Sequence, residues 1–260
     1  MDKIKFFSFI LLASAMVYVW GCGDDSTNNN NSGTPVGAPD INIVTGSAFY
    51  FTNDTISQNN TSYRTLLTTK DSVLGNVFLE GYNSFAVRSV TDSLGTVVDD
   101  QVYNVYYDAA GGKFYQYGIF RFLDPTASAR WDLVADFNLP LNTSWDIGVD
   151  TIVLSGFSIQ ADIKGKIAEQ TTFQTTNTPS STIHCYRIEI SANLSIPGVY
   201  TFPTPVYFDY YLGFASSSTP GNPSGIVRLR LRPISLALPT QPPFFTQAGG
   251  DRILRTFIIP

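Results

Sequence analysis

The sequence is poor in the residues that carry most enzyme chemistry. Its 260 residues contain a single histidine, His184, and only three glutamates. One histidine leaves little possibility of a Ser-His-Asp triad and is too few for a histidine-rich metal site. The chain also lacks a phosphate-binding glycine loop and a dinucleotide-binding fingerprint. We therefore expect no catalytic residues, no metal site and no cofactor.

Cysteine is almost as scarce, because the chain has only Cys22 and Cys185. Cys185 follows His184 on a predicted strand, where neighbouring side chains point to opposite faces and cannot act as nucleophile and base together. If Cys22 carries a lipid, as argued below, Cys185 has no disulfide partner. We then expect the core alone to stabilise the fold.

Charged residues make up 14% of the chain, well below the roughly 25% of an average soluble domain. The formal net charge of −5 argues against nucleic acid as a partner, since nucleic-acid binding needs a basic face. Apolar residues reach 43% and aromatic residues 14%. This composition supports a large core and favours strands over helices.

The N-terminus has the anatomy of a signal peptide over residues 1–21. Lys3 and Lys5 give a positive start, and the 14 residues from Phe6 to Val19 are uncharged. That stretch is shorter than the roughly 20 residues a membrane-spanning helix needs. Residues 22–40 are mostly polar and low in complexity, which predicts a disordered tether.

Cys22 stands at the junction of these two segments, directly after Gly21. The arrangement resembles the relaxed lipobox of lipoproteins from Bacteroidota-like bacteria, with departures at Val19 and Trp20. The resemblance implies diacylglycerol and palmitate on Cys22, and a lipid anchor in the outer membrane, on its periplasmic face or at the cell surface. An ordinary secretory signal with a chance cysteine is the alternative.

The rest of the chain, residues 41–260, predicts a single all-β domain, with a split at Leu139-Pro140 as the alternative. Short runs rich in β-branched and aromatic residues alternate with Gly, Pro, Asn and Asp. We expect an antiparallel meander that forms a curved sheet, a half-barrel or a sandwich. The predicted strands are 43–51, 62–69, 85–91, 101–107, 113–123, 131–137, 152–163, 166–172, 182–194, 206–214, 225–238 and 252–259. A hairpin is expected at residues 108–112 and a further turn at Gly165.

Several segments of the last 120 residues are similar to a loose group of bacterial lipoproteins without an assigned activity. The resemblance implies an all-β fold and no catalytic residue. It rests on Pro140-Leu141 with Trp145, on Cys185, on Tyr210-Tyr211 with Gly213, and on Gly225-Ile226-Val227.

Three arginines alternate with leucines in the segment VRLRLR. A period of two places Arg228, Arg230 and Arg232 in one row on one face of a strand. This row is a possible anion- or partner-binding face, for lipid phosphates or acidic glycans. The alternative is a charged face that pairs with acids on neighbouring strands.

Aromatic and acidic clusters suggest two further sites. Tyrosines at 103, 106, 107, 115 and 117, and at 207, 210 and 211, could stack on sugars, or could be ordinary cross-strand pairs. Asp132, Asp136, Asp146 and Asp150 lie near Trp131 and Trp145, as paired acids do in glycoside hydrolases. We expect solvated positions for all four.

Taken together, these features favour a membrane-anchored envelope lipoprotein that is not an enzyme. Its expected partners are the membrane, through the N-terminal lipid, and a glycan, a lipid or an envelope protein. The alternatives are a carrier of a hydrophobic ligand such as a lipid, which needs a wide apolar cavity, and a glycan-active enzyme.

Overall fold

The computed structural model describes residues 33–119, 129–154, 156–176, 180–215 and 223–260. Cys22 and the predicted signal peptide lie outside these ranges. Within them the chain forms fifteen strands and no α-helix. The strands are β1 (Ala48–Ile56), β2 (Ser62–Leu79), β3 (Tyr82–Ser93), β4 (Thr96–Asp108), β5 (Lys113–Tyr117), β6 (Trp131–Asp136), β7 (Ser144–Leu154), β8 (Phe157–Gln174), β9 (Thr182–Ile196), β10 (Tyr200–Thr201), β11 (Val206–Gly213), β12 (Gly225–Leu231), β13 (Ile234–Leu236), β14 (Phe245–Gln247) and β15 (Gly249–Ile258).

Thirteen of these strands form one antiparallel sheet. Its order is β6-β5-β4-β3-β2-β1-β15-β12-β11-β9-β8-β7, and β10 pairs with β9. The first and last strands of the described chain, β1 and β15, therefore lie side by side near the middle of the sheet. Strands from both sides of residue 140 contribute to this one sheet.

The sheet curves until its two edge strands, β6 and β7, nearly meet. The indole Nε1 of Trp145 in β7 donates a hydrogen bond to the carbonyl oxygen of Leu133 in β6, at 3.1 Å. Arg130, just before β6, reaches Asp150 of β7 at 3.4 Å. These contacts bring the sheet close to closure and reduce the exposure of its edges.

The concave face of the sheet holds the core. Alternate residues of β9 point into it: Ile188, Ile190, Ala192 and Leu194 are at most 1% exposed. The facing strands supply large apolar side chains such as Phe51 and Phe114, each 1% exposed. Burial on this scale follows the period-two alternation of the strands and stabilises the fold without a disulfide.

The segment between β12 and β15 packs against the core at one end of the sheet. It contains the small β13–β14 sheet, in which Ile234 and Leu236 are buried. The ring centroid of Phe244 lies 4.7 Å from that of Phe157, at the start of β8.

The structure confirms the all-β antiparallel curved sheet, and the sandwich alternative is not adopted. The expected hairpin is also confirmed, since β4 and β5 pair from Asp108 and Lys113 onward and Gly112 has a φ of +59°. No helix in the described ranges is long and apolar enough to cross a membrane.

The turn expected at Gly165 is wrong, because β8 runs straight through it. Gly165 pairs with Trp145 on one side and with Ile190 on the other. A Cβ at Gly165 would lie only 2.5 Å from the indole of Trp145. The glycine therefore makes room for the tryptophan rather than reversing the chain. The reversal lies at Gly156 instead, with a φ of +84°.

The single strand predicted over 225–238 is also wrong. The chain forms β12 and β13 there, and Pro233 lies between them.

Candidate functional site

A buried ion pair lies inside the curved sheet. Arg252 of β15 donates a 2.6 Å hydrogen bond to the carboxylate of Asp71 on β2, and Tyr103 of β4 donates one of 2.8 Å to the same carboxylate. Asp71 is 2% exposed, and the guanidinium carbon of Arg252 lies 4.3 Å from the ring centroid of Phe51. Burial, followed by the charge of Asp71, raises the pKa of Tyr103, so the phenol stays protonated and donates.

Beside this ion pair, the core contains a cavity of about 30 Å³. Asp71, Tyr103 and Ser224 line it together with apolar side chains, and the buried hydroxyl of Ser224 has no hydrogen-bond partner. Such a volume holds about one water molecule, whereas sites for drug-sized ligands span roughly 300–1,000 Å³. This cavity is therefore too small for the lipid that the carrier alternative requires.

The predicted arginine row lies on the outer face of β12, where two of its members are paired with acids. Arg228 makes a bidentate contact with Asp251, at 2.8 and 2.6 Å. Arg232 lies 3.0 Å from Glu189 and 3.4 Å from Asp209. Tyrosine rings lie against both guanidiniums, Tyr211 at 5.1 Å from Arg228 and Tyr207 at 4.5 Å from Arg232. These two arginines thus have carboxylate partners within the protein.

Arg230, between them, differs. In the strand register it faces Asp209 on β11 and Asp251 on β15. Those carboxylates bond to Arg187, Arg232 and Arg228 instead. Among the described residues Arg230 forms no ion pair, and its buried Nε has no hydrogen-bond partner.

The four aspartates near the tryptophans do not share one environment. Asp132 is 2% exposed, so its predicted solvated position is wrong. It accepts hydrogen bonds from the backbone N–H of Ile119 and from Arg130, and burial raises its pKa in spite of Arg130. A bulge at Val134 of β6 shifts the register between Asp132 and Asp136, so their even spacing does not place both on the solvent face.

The remaining three aspartates form separate ion pairs. Asp150 shares Arg130 with Asp132, at 3.4 Å. Asp136 lies 3.7 Å from Lys113. Asp146 is 82% exposed and lies 3.5 Å from Lys164. Only Asp132 and Asp150 are thus brought together, and the guanidinium between them balances one of their two negative charges.

His184 and Cys185 are neighbours in β9 without a shared role. Cys185 is completely buried, and burial raises the pKa of its thiol to about 12. A thiol with that pKa has almost no thiolate at neutral pH and is a poor nucleophile. His184 is half-buried, with its ring 6.2 Å from that of Phe214. The described ranges hold no group of His, Cys, Asp and Glu side chains suited to a metal ion.

Five aromatic rings gather on the outer face where β3, β4, β5 and β6 lie side by side. We call this set the aromatic surface; it comprises Tyr82, Tyr106, Tyr115, Tyr117 and Trp131. The ring centroids of Tyr82 and Tyr106 are 5.0 Å apart, and those of Tyr117 and Trp131 are 5.2 Å apart. Tyr82 also lies 5.6 Å from Trp131, which joins the rings into one continuous layer.

The β2–β3 hairpin holds one side of this surface in place. Its two-residue turn has positive φ at Glu80 (47°) and Gly81 (90°), as a type I′ turn requires. Trp131 donates a 3.3 Å hydrogen bond from Nε1 to the carbonyl of Leu79, and Tyr117 donates one of 2.7 Å to the Glu80 carboxylate. Tyr82 remains 41% exposed.

The predicted tyrosine clusters contain only part of this surface. Tyr103 points into the core, and Tyr107 donates its hydroxyl hydrogen to the backbone of Pro39. Tyr82 and Trp131 were not predicted, because they come from strands about 50 residues apart in sequence. Only the β3–β6 pairing order, which residue spacing does not reveal, brings them together.

No protein-family model matches the chain, and no curated protein matches it. Two solved structures are similar in fold. One is a lipoprotein candidate from Parabacteroides distasonis, with 11% identity, a TM-score of 0.49, and coverage of 85% of this chain and 99% of that chain. The other is an exported-protein candidate with a YmcC-like fold from Bacteroides fragilis, with 10% identity, a TM-score of 0.49, and coverage of 85% and 100%. Neither similarity assigns a function to any residue of this chain.

Proposed function

We propose that this protein is a lipid-anchored binding protein of the bacterial envelope, and that its aromatic surface binds glycan. The observation that carries the proposal is the continuous layer of five rings with an exposed edge at Tyr82. Pyranose rings present apolar C–H faces, which pack on the faces of exposed aromatic rings. Burial of a ring of this kind against a sugar removes apolar area from water and favours binding.

Polar groups at the edge of the aromatic surface suit the hydroxyls of a sugar. The carboxylate of Glu80 accepts a hydrogen bond from Tyr117 and has further lone pairs for a sugar hydroxyl. Burial raises the pKa of Tyr106 and of Tyr115. Both phenols therefore stay protonated at neutral pH and can donate as well as accept hydrogen bonds.

The anchor is supported by the sequence alone. The apolar signal, the cysteine at residue 22 and the polar tether are arranged as in lipoproteins. A lipid at this position would hold the protein at a membrane, where envelope glycans are within reach. We place it in the outer membrane, facing the periplasm or the cell surface.

Co-sedimentation of the full chain with purified peptidoglycan sacculi, and gel retardation by amylose, laminarin and mannan, test the glycan proposal. The informative variant is Tyr82→Ala, and the matched control is Tyr63→Ala, because the two tyrosines are 41% and 42% exposed. We expect Tyr82→Ala to weaken binding about tenfold or more, and Tyr63→Ala to leave it unchanged. Absence of binding to all four glycans, or equal loss in both variants, would contradict the proposal.

A further inference from the structure

We propose a second ligand site, for the anionic group of an acidic saccharide, in a groove on the outer face of β1, β2 and β15. The groove has a volume of about 450 Å³, within the roughly 300–1,000 Å³ of small-molecule sites. Lys70 and Arg255 line it, together with Tyr50, Thr68 and Asp92. The site is separate from the aromatic surface and does not rest on glycan binding there.

The distribution of ion pairs distinguishes this groove, because two basic residues without an ion pair line it. Thirteen of its lysines and arginines belong to the described residues. Ten of them form ion pairs with carboxylates. Within the described ranges the three without an ion pair are Lys70, Arg230 and Arg255, and two of these three line the same groove.

The strand register explains how Lys70 and Arg255 come together. Tyr50 in β1 faces Lys70 on one neighbouring strand and Thr256 on the other. The β1–β15 register shifts between Tyr50 and Phe51, which leaves Arg255 as an extra residue at a bulge. Bulges redirect side chains and are frequent beside binding sites. Leu254 is fully buried, so Arg255 after it points outward, and the bulge turns Thr256 to the same side, where both residues line the groove.

The other groups of the groove favour a sugar as the carrier of the negative charge. The ring of Tyr50 offers an aromatic floor, with the Lys70 ammonium 5.5 Å from its centroid. The carboxylate of Asp92 accepts hydrogen bonds from Thr68 at 3.0 Å and from the backbone N–H of Gly95 at 3.2 Å. It is therefore held in place without neutralising either cation, and it can accept from a sugar hydroxyl. Two cations and one acid leave one net positive charge for the ligand.

Calorimetric titration of the full chain in nonionic detergent at low salt tests this site. The probes are digalacturonate, neutral digalactose, inorganic phosphate and vesicles that contain phosphatidylglycerol. We expect digalacturonate to bind and digalactose to bind at least about tenfold more weakly, because only the former offers carboxylates to Lys70 and Arg255. Added salt should weaken the binding of digalacturonate.

The informative variants are Arg255→Gln and Lys70→Gln, and Arg230→Gln is the matched control, because Arg230 lacks an ion pair but lies outside the groove. We expect the first two to weaken digalacturonate binding about tenfold each. The control and Tyr82→Ala should leave it unchanged. Equal binding of digalactose, or equal loss in Arg230→Gln, would overturn the proposal. Binding of phosphate or of vesicles without binding of digalacturonate would overturn the saccharide assignment.

Because Lys70 and Arg255 are exposed and lack ion pairs, neither glutamine variant should alter folding. An unchanged midpoint of urea unfolding checks this. A loss of digalacturonate binding at an unchanged midpoint supports the site. Failure of glycan binding by Tyr82→Ala with intact digalacturonate binding would separate the two proposals.

Discussion

Asp71 carries a negative charge that is buried in the core. Its carboxylate is 2% exposed and bonds to both Arg252 and Tyr103. Replacing one partner of a buried pair leaves the other charge without compensation, at a cost of roughly 3–5 kcal/mol. We expect Asp71→Ala to lower the free energy of unfolding by about this amount, measured by urea titration.

The exposed pair of Arg88 and Asp100 is the natural control for this measurement. Its members are 52% and 42% exposed and lie 2.6 Å apart. Exposed ion pairs contribute roughly 0–1 kcal/mol, so Asp100→Ala should change stability little. A similar loss in both variants would show that burial does not determine the contribution of Asp71.

Cys185 gives a second prediction for a single residue. Because burial raises the pKa of its thiol to about 12, the native protein should not react with Ellman's reagent at pH 8. In urea the thiol should react fully, and the yield should be one thiol per chain if the sulfur of Cys22 carries diacylglycerol. Reaction of Cys185 in the native protein would contradict its complete burial.

The same raised pKa predicts a dependence of stability on pH. The ordinary pKa of the thiol is 9.0, so the unfolded chain loses the Cys185 proton well before the native chain does. The contribution of Cys185 to stability is thus complete below pH 9 and declines from there up to about pH 12. Cys185→Ala should show a shallower decline of the unfolding free energy between pH 8.5 and 10, values chosen around that ordinary pKa. An identical decline would contradict the shift.

At the scale of single residues, the sequence predicted which side chains share a strand face better than it predicted the contacts of those side chains. The alternation in VRLRLR correctly placed three arginines in one row, but it could not show which acids face them. The pairing of Asp71 with Arg252 was not predicted, because a charged residue in a strand is expected to face solvent. Only the pairing of β1 with both β2 and β15 brings these two residues together.

At the scale of elements, Gly165 and Trp145 couple β8 to the edge strand β7. A methyl group at Gly165 would approach the indole to 2.5 Å, so Gly165→Ala should displace Trp145 from its hydrogen bond to Leu133. Overpacking of this kind costs typically 1–3 kcal/mol. We expect that loss in urea unfolding, together with a change in tryptophan fluorescence.

Gly250→Ala provides the control for Gly165→Ala. Gly250 also lies in a strand, β15, and a Cβ there would meet only a carbonyl oxygen at 4.0 Å. The free energy of unfolding should stay the same or rise slightly in this variant. Equal destabilisation by both substitutions would indicate that the space occupied by the indole is not the reason for Gly165.

The strand pattern of the sequence was sufficient for the fold class and for most strands. It failed at Gly165 because a glycine within an alternating run signals a turn and a close approach equally well. It also could not reveal that the first and last strands pair in the middle of the sheet. Because that pairing joins residues far apart in the sequence, the spacing of residues does not reveal it.

At the scale of the whole molecule, the end of the predicted tether packs against the sheet. Backbone pairing begins at Pro35, which bridges to Pro140 after β6. Tyr107, next to Tyr106 of the aromatic surface, donates a hydrogen bond to the carbonyl of Pro39. The chain between Cys22 and Pro35 can span at most about 45 Å. A lipid on Cys22 would therefore hold Pro35, where the chain joins the sheet, within about that distance of the membrane.

The anchor itself gives the last prediction. Cys22 is the proposed site of acylation and precedes the described part of the chain, so Cys22→Ala should remove the lipid and leave the sheet intact. In bacteria fed an alkyne analogue of palmitate, the parent chain should carry the label and Cys22→Ala should not. Cys185→Ala is the matched control and should keep the label, because its thiol is buried. Label on Cys22→Ala would contradict the anchor. Loss of label with retained glycan binding would show that the anchor positions the binding face and takes no part in recognition.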